Sequence, residues 1–473
     1  MNYLRIVSKP FVRKQGFNLT VVRGLRSLGQ PTPETHPYLM KEDEVTPGIS
    51  KVEYELRRTK LITSLPEKSK VILFGHKLRY MSHKIFYPFH QNTDFLYLTG
   101  YNQPDAVTVL EKDDSTERGY TMSMFVQPKK PEIELWEGAR AGLEAAVDYF
   151  GADEAHEYAK FGHHIRDLFN SDGPVYVDFP DPIALYSYEH AVKSLTSKEN
   201  ASSKIKPLAP IIQEHRLFKS KAEARLMRES GEISGKSFIE IMKATRPGVS
   251  EQTISALFEY ECRQRGSQML AYVPVVAGGK NALTMHYVSN NQALREGDLL
   301  LVDAGGEYNG YASDITRTWP VNGKFSKQQK DLYKAVLNVQ KQCIKMCTES
   351  NNNSLNRVHD ESVGLMKEEL GKLGFKLDKW DVDRILYPHH VGHYLGLDLH
   401  DTFDMTRSRK LQSGMVVTIE PGLYVPYDDK FPKEYQGIGI RIEDNVLVGK
   451  EDPVVLSVTA PKEVEDIEFV MNS

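Results

Sequence analysis

LLLVDAGGEYNGYASDITRTW, residues 299–319, is an apolar run that ends on a carboxylate, turns, and returns through a second one. Leu299 to Val302 has the pattern of a buried strand, and it stops on Asp303. Asn309-Gly310 marks a two-residue hairpin loop, because a type I′ turn needs positive φ at both central positions. Tyr311 to Trp319 is then the returning strand. With Asn309 and Gly310 as the loop, Tyr308 faces Tyr311 and Asp303 faces Thr316. Asp314 falls one diagonal step from Asp303 on the same face, with Cβ atoms about 7–8 Å apart. An extra residue bulging at Gly305-Gly306 would shift this register. Two carboxylates at the buried end of a hairpin repel each other and lose hydration, so they need a cation, a proton or an arginine between them.

Four other segments set polar groups beside apolar runs. They are Tyr272 to Asn291, which holds His286; His389 to Asp401, which holds His389, His390, His393 and His400; Gly414 to Tyr424, a strand ending on Glu420; and Gly437 to Val448. In the last, Arg441 and Glu443 share one strand face while Ile440 and Ile442 take the other. Asp303, Asp314, Glu420 and Glu443 therefore all lie in or at the end of apolar strands, and burying four carboxylates without compensation is prohibitive. Two divalent cations would bring +4 against their −4, and a water held between them would ionise to a nucleophile, which is a hydrolytic arrangement. Oxygen ligands with one imidazole and no thiolate favour manganese, cobalt or zinc. Taken singly, each acid is more often a turn cap or an ion-pair partner, and Arg441 alone would neutralise Glu443. The weight rests on the constellation. Phosphate binding is not indicated, since neither GxGxxG nor GxxxxGK[ST] occurs between a strand and a helix.

The chain has 473 residues, 40% hydrophobic and 26% charged, enough for more than one domain with a sizeable core. No apolar run approaches the roughly 20 residues of a membrane helix, so no integral membrane segment is expected. A formal charge of −4 gives no reason to expect a nucleic-acid partner. Cys262, Cys343 and Cys347 read as buried reduced thiols, with no histidine near enough in sequence to make Cys343 and Cys347 a zinc pair. Residues 1–33 carry Arg5, Lys9, Arg13, Lys14, Arg23 and Arg26 and no acid, the composition of a mitochondrial presequence. Losing them would take the formal charge from −4 to −10.

Residues 34–50 then read as an extended connector. A helix is expected over 51–65. Strand candidates follow at Val71–Phe74, Phe95–Leu98, Ala106–Leu110, Met122–Val126 and Val175–Asp178, around a helix-like stretch from Leu143 to Phe169. That makes an α/β domain over 51–210, ending in the polar, proline-bearing break at 196–213. The second domain, 211–473, predicts helices at Lys221–Ala244 and Glu251–Arg265. Two more are expected, one opened by the Ser326–Gln329 capping box and one over Asp360–Leu373. Helix–helix–hairpin is thus followed by helix–helix–strands, which suggests two related halves in an α+β domain.

VDAGGEYNGYASDITRTWPV (302–321), HHVGHYLGLDLHD (389–401), VTIEPGLYV (417–425) and GIRIEDNVLV (439–448) together resemble the motifs of the pita-bread metallopeptidases, in the aminopeptidase P branch. YPFHQNTDFLYLTG (87–100) resembles the N-terminal domain of the same branch. With the basic leader, GQPTPETHPYL and TPGIS, the likeness narrows to its mitochondrial intermediate-cleaving members. The resemblance implies a creatinase-like N-terminal α/β domain, a C-terminal pita-bread catalytic domain, and a homodimer. It implies that Asp303 chelates one metal, that Asp314 and Glu443 bridge, and that His393 and Glu420 hold the other. His286 and His400 would hold the substrate carbonyl and the developing oxyanion, and His389 would stand near the leaving residue. Arg441 would orient the acids, and Glu420 would also carry the proton to the leaving amine. The metal ions would be two Mn2+, with Co2+ or Zn2+ as alternatives. The implied substrates are N-termini of imported precursors after presequence cleavage, losing one bulky hydrophobic residue in the matrix or at the inner membrane, with a second pool elsewhere left open. Xaa-Pro peptides are the alternative substrate class. A catalytically silent binding protein would be expected to have lost metal ligands, and all five are present.

Overall fold

The computed structural model describes residues 27–178 and 204–473. Most of the expected presequence and the first part of the break at 196–213 lie outside the described residues.

The N-terminal part is built on a six-stranded sheet in the order Ile205–Lys206, Val175–Val177, Lys70–Phe74, Val107–Lys112, Tyr120–Val126, Glu154–Glu157. The three central strands pair antiparallel and the outer ones join in parallel. Side chains alternate between its faces, as the pleat requires. Ile72, Phe74, Val107, Val109 and Phe125 pack with the helix Phe161–Asn170. Val71, Leu73, Leu110, Met122 and Met124 belong to a larger cluster with Tyr54 and Leu61 of the helix Lys51–Thr63.

Three expectations fail in this part. Phe95–Leu98 is not a strand but the middle of a helix, Thr93–Thr99, whose cap Asn92 accepts from the Phe95 amide at 2.9 Å. Gly100 ends it with φ of 68°. Four apolar residues fit either element, and the caps decide. Leu143–Phe169 is not one helical stretch. Helices Gly142–Asp148 and Phe161–Asn170 are separated by the strand Glu154–Glu157, and Gly151 turns the chain between them at φ of 78°. Residues 34–50 are not extended either. They make turns and a short antiparallel pair, Glu44–Thr46 with Ile49–Ser50, and Val45 and Ile49 are buried in the cluster that holds Tyr54 and Phe95.

From Lys221 onward the chain makes a helix pair and a three-stranded antiparallel sheet, twice. Lys221–Ala244 and Glu251–Gln264 accompany the strands Val275–Gly278, Leu299–Ala304 and Ile315–Pro320. Lys327–Lys345 and Leu355–Lys372 accompany Val416–Ile419, Asp444–Leu447 and Val454–Val455. Reciprocal capping boxes at Ser220/Glu223 and Ser326/Gln329 satisfy otherwise orphaned amides and fix two of the helix starts. The last helix of the four begins at Leu355 rather than Asp360, because Ser354 caps the Arg357 amide.

The hairpin has the register expected of it: Asp303 faces Thr316, and Tyr308 faces Tyr311. No bulge shifts it. The returning strand is instead interrupted at Ser313-Asp314, where the two arms close up so tightly that a Cβ on Gly305 would lie 1.7 Å from the Ser313 carbonyl oxygen. The halves meet along this strand. The Glu443 amide donates to the Thr316 carbonyl at 3.0 Å, and the Thr318 hydroxyl donates to the Arg441 carbonyl at 3.0 Å. One core cluster, with Phe238, Phe258, Val302, Trp319, Tyr333, Val417, Ile440 and Ile442, fills the space behind.

Candidate metal centre

Five polar side chains converge where the halves meet. Asp303 is the fifth residue of its strand, and Asp314 lies in the interruption of the returning one. The Tyr272 hydroxyl donates to Oδ1 of both, at 2.6 Å to Asp314. His393 Nε2 stands 3.3 Å from Asp314 Oδ2 and 3.7 Å from Glu420 Oε1. Glu443 completes the set, with donor atoms of Asp314, His393 and Glu443 all within 4.8 Å of one another. The ring of His393 is oriented through Nδ1, 2.9 Å from the Tyr394 carbonyl. Nε2 faces the carboxylates: burial lowers the ring's pKa, but Asp314 and Glu420 raise it to about 9, so it stands as the imidazolium and would exchange its Nε2 proton for a cation.

The set is short of positive charge. Arg441 clamps Asp303 Oδ2 at 2.6 Å and also donates to the Tyr424 and Thr316 hydroxyls. Burial nevertheless raises Asp303, although Arg441 pulls it back. Burial lifts Glu420 to about 7, with His393 offsetting only part of the rise. Burial, with Asp314, Glu420 and Asp303 beside it, pushes Glu443 well above the usual carboxylate range. One oxygen of Glu443 accepts from Thr316 at 2.6 Å, while Oε1 is buried without a partner among the described residues. A buried carboxylate oxygen with nothing to accept from is costly, and a cation among these atoms removes the penalty. The donor set fits divalent cations that prefer oxygen and imidazole.

Known proteins share this arrangement of chain. Residues 225–450 match the Metallopeptidase family M24, and residues 54–176 match the Aminopeptidase P, N-terminal domain. Xaa-Pro aminopeptidase 3 of Rattus norvegicus is 42% identical over 460 residues, covering 94% of this chain and 90% of its own length. The chain belongs to metallopeptidase family M24. The mitochondrial intermediate cleaving peptidase 55 of Arabidopsis thaliana is 40% identical over 474 residues, covering 100% of this chain and 93% of its own. The crystal structure of Icp55 from Saccharomyces cerevisiae superposes with a TM-score of 0.84 at 41% identity, covering 91% of this chain and 99% of that one. The fold is accordingly the aminopeptidase P N-terminal domain followed by the M24 pita-bread domain.

Around the M24 centre, the expected rim histidines take different places. The His400 ring packs edge-on to His393, centroids 4.4 Å apart. Burial and the neighbouring His393 lower its pKa. His286 is exposed. His389 sits deeper, 3.0 Å from the Tyr424 hydroxyl and 3.8 Å from Glu420 Oε2. Burial and Arg441 hold it down at about 3, so it is a neutral imidazole.

Four contributors were not singled out from the sequence. Tyr272 is held as the neutral phenol by burial and by Asp303 and Asp314, so it is always a donor to them. Thr316 supplies the hydroxyl between Glu443 and Arg441, and its position opposite Asp303 was a usable signal. Tyr424 links Arg441 to His389. Asn445 receives the Asp314 amide at 3.2 Å.

Proposed function

We propose that this M24 protein is a dinuclear aminopeptidase of mitochondria that removes one bulky hydrophobic N-terminal residue from imported proteins after presequence cleavage. The observation that supports it most is the cluster of Asp314, His393 and Glu443, with Glu420 beside His393 and Asp303 joined to Asp314 through Tyr272, and with Glu443 Oε1 left without a partner among the described residues. These five side chains would hold two divalent ions, with Mn2+ the first choice. Bound there, such ions supply Lewis acidity for the scissile carbonyl and a water that is nucleophilic at neutral pH.

The chain's own residues do the rest. Tyr272 and Arg441 hold three of the four oxygens of Asp303 and Asp314, so the carboxylates are fixed before substrate arrives. His400 and His286 stand at the rim, where their ring N–H groups would donate to the substrate carbonyl and to the oxyanion that develops from it. Glu420 takes a proton and delivers it to the leaving amine. His389 shapes the side that meets the leaving residue. The N-terminal domain would begin at residue 51 and the catalytic domain at 211, and two copies would associate.

The mitochondrial naming of the Arabidopsis relative and the Icp55 likeness support the location and the processing role. The rat relative's name favours a second reading, cleavage of Xaa-Pro peptides by the same centre. One assay decides between them. Manganese-loaded protein is compared on Tyr-Ala, Leu-Ser and Xaa-Pro peptides by kcat/KM. Preference for the first two supports the processing reading, and faster Xaa-Pro cleavage by a wide margin selects the second. Asp314→Ala should abolish turnover while leaving the protein folded.

A further inference from the structure

The loop that carries His286 has little structure of its own. It leaves the strand Val275–Gly278, makes a single 3-10 turn at Gly279–Leu283, and runs without helix or strand from Thr284 to Gln292. His286 is exposed, so its placement has to come from its neighbours. One buried side chain supplies it. Glu251, the first residue of the helix Glu251–Gln264, is 0% exposed. Its Oε1 accepts from the Gly278 amide and from the side-chain amide of Asn281, both at 2.9 Å. Its Oε2 accepts from the Tyr287 hydroxyl and the Gln292 amide, also at 2.9 Å. Two donors on each oxygen are the full complement of a carboxylate. They come from the start, the turn, the far side and the end of the loop, and one belongs to the residue next to His286. All four are neutral groups, so a carboxylate at this place is satisfied only while the loop keeps its shape. Asn290 closes the loop from the other side, at φ of 46°. Its Oδ1 accepts from the Val276 amide at 2.9 Å and its Nδ2 donates to the Pro274 carbonyl at 2.8 Å. Met285 and Tyr287, on either side of His286, pack against the cluster of Val275, Leu301 and Tyr424.

Apolar side chains fill a buried space at less cost than a charge does. What the carboxylate adds here is a fixed geometry for four separate points of one loop. A group that must meet a developing oxyanion has to be in place before the reaction, since a misplacement of about 1 Å costs roughly a hundredfold in rate. We propose that Glu251 is a positioning residue for His286: it ties down the loop 278–292 so that the imidazole stands ready at the rim of the metal centre. The inference rests on the aminopeptidase reading, in which His286 meets the substrate carbonyl. Glu251 acts only through the loop.

The test is a mutant cycle on the manganese-loaded full chain: Glu251→Gln, Tyr287→Phe, His286→Ala, and Glu251→Gln combined with His286→Ala. Each is read as kcat, KM and Tm, on whichever of the Tyr-Ala, Leu-Ser and Xaa-Pro peptides wild type cleaves fastest. Glutamine keeps the shape of Glu251 but turns an NH2 group on two of the donors. Glu251→Gln is expected to lose about tenfold to a hundredfold in kcat with little change in KM, and Tyr287→Phe, which loses one donor, several-fold. Without His286, Glu251→Gln should cost nothing further in kcat, while it lowers Tm equally in both backgrounds. A role confined to holding the fold together gives the same kcat factor with and without His286. That result, or a kcat for Glu251→Gln within about twofold of wild type, overturns the proposal. If Glu251→Gln does not fold, Tyr287→Phe takes its place in the cycle. Hydrogen exchange over 278–292 reads the loop apart from turnover, and it should quicken in Glu251→Gln or Tyr287→Phe. Quicker exchange there with no turnover in wild type would keep the tie and refute the aminopeptidase. Turnover in wild type with unchanged exchange in the variants would do the reverse.

Discussion

Replacing Asp401 with leucine should destabilise the protein more than any single hydrogen bond accounts for. Its carboxylate is 1% exposed and takes Lys219 Nζ at 2.8 Å and Arg216 Nη2 on its two oxygens. Arg216 also reaches Asp94 at 2.6 Å and Asp398 at 2.8 Å, so it keeps other partners, whereas Lys219 is 1% exposed with no second acid among the described residues. Leaving one buried charge uncompensated costs about 3–5 kcal/mol. Unfolding entropy of about 2.1 cal/mol/K per residue gives about 1 kcal/mol/K for a chain of this length, so Tm should fall by roughly 3–5 °C in calorimetry. Adding Lys219→Met to Asp401→Leu removes the stranded charge and should recover at least half of the loss. The pH dependence has a definite sign. Burial alone would raise the Asp401 carboxyl, but Lys219 and Arg216 hold it below its usual range. Its contribution is therefore full above the unfolded value, about 3.9, and is lost as pH falls through the folded one. The gap between wild type and Asp401→Leu should narrow on acidification below about pH 4. A single variant within 1 °C of wild type, or a double variant less stable than the single, would refute this account.

Manganese should raise the Tm of the metal-stripped wild type and leave Asp314→Ala unmoved, as mass action on a folded-state site requires; equal shifts in both would place the ions elsewhere. Tyr272→Phe removes the donor shared by Asp303 and Asp314 and should lower metal affinity or kcat/KM by about 10–100-fold, read by metal titration and steady-state rates. Asn92→Ala should cost about 1 kcal/mol of stability in denaturant titration, because the Thr93–Thr99 helix loses its cap; no change would favour a strand there after all.

Which features could be read in advance follows from how local their determinants are. The register of the hairpin was legible because Asn309-Gly310 fixes the loop, and each pairing out to Asp303 and Thr316 then follows by counting. Ser326 announced its helix through a capping partner only three positions away. Phe95–Leu98 misled because an apolar tetrad carries no period, and the deciding residues, Asn92 and Gly100, flank it. The four acids and the imidazole were picked out by chemistry beside apolar runs, and the fold brings them together. Tyr272 was invisible in that way: nothing near it in sequence shows that its hydroxyl ends between Asp303 and Asp314, 31 and 42 residues on. The Arg216 cluster joins positions 122 to 185 residues apart and leaves no local trace.

The seam between the two halves has a bearing on when the enzyme can exist. Thr316 and Glu443 touch across 127 residues of chain, and the Glu443 amide rests on the Thr316 carbonyl. Neither half owns a complete set of donors. On the proposed ligand set, a partly made polypeptide would be inert, and ions would enter only after Glu443 has docked on Thr316. Proteolytic power arrives as the final act of maturation, which protects a hydrolase, and the proteins around it, while it is still unfolded.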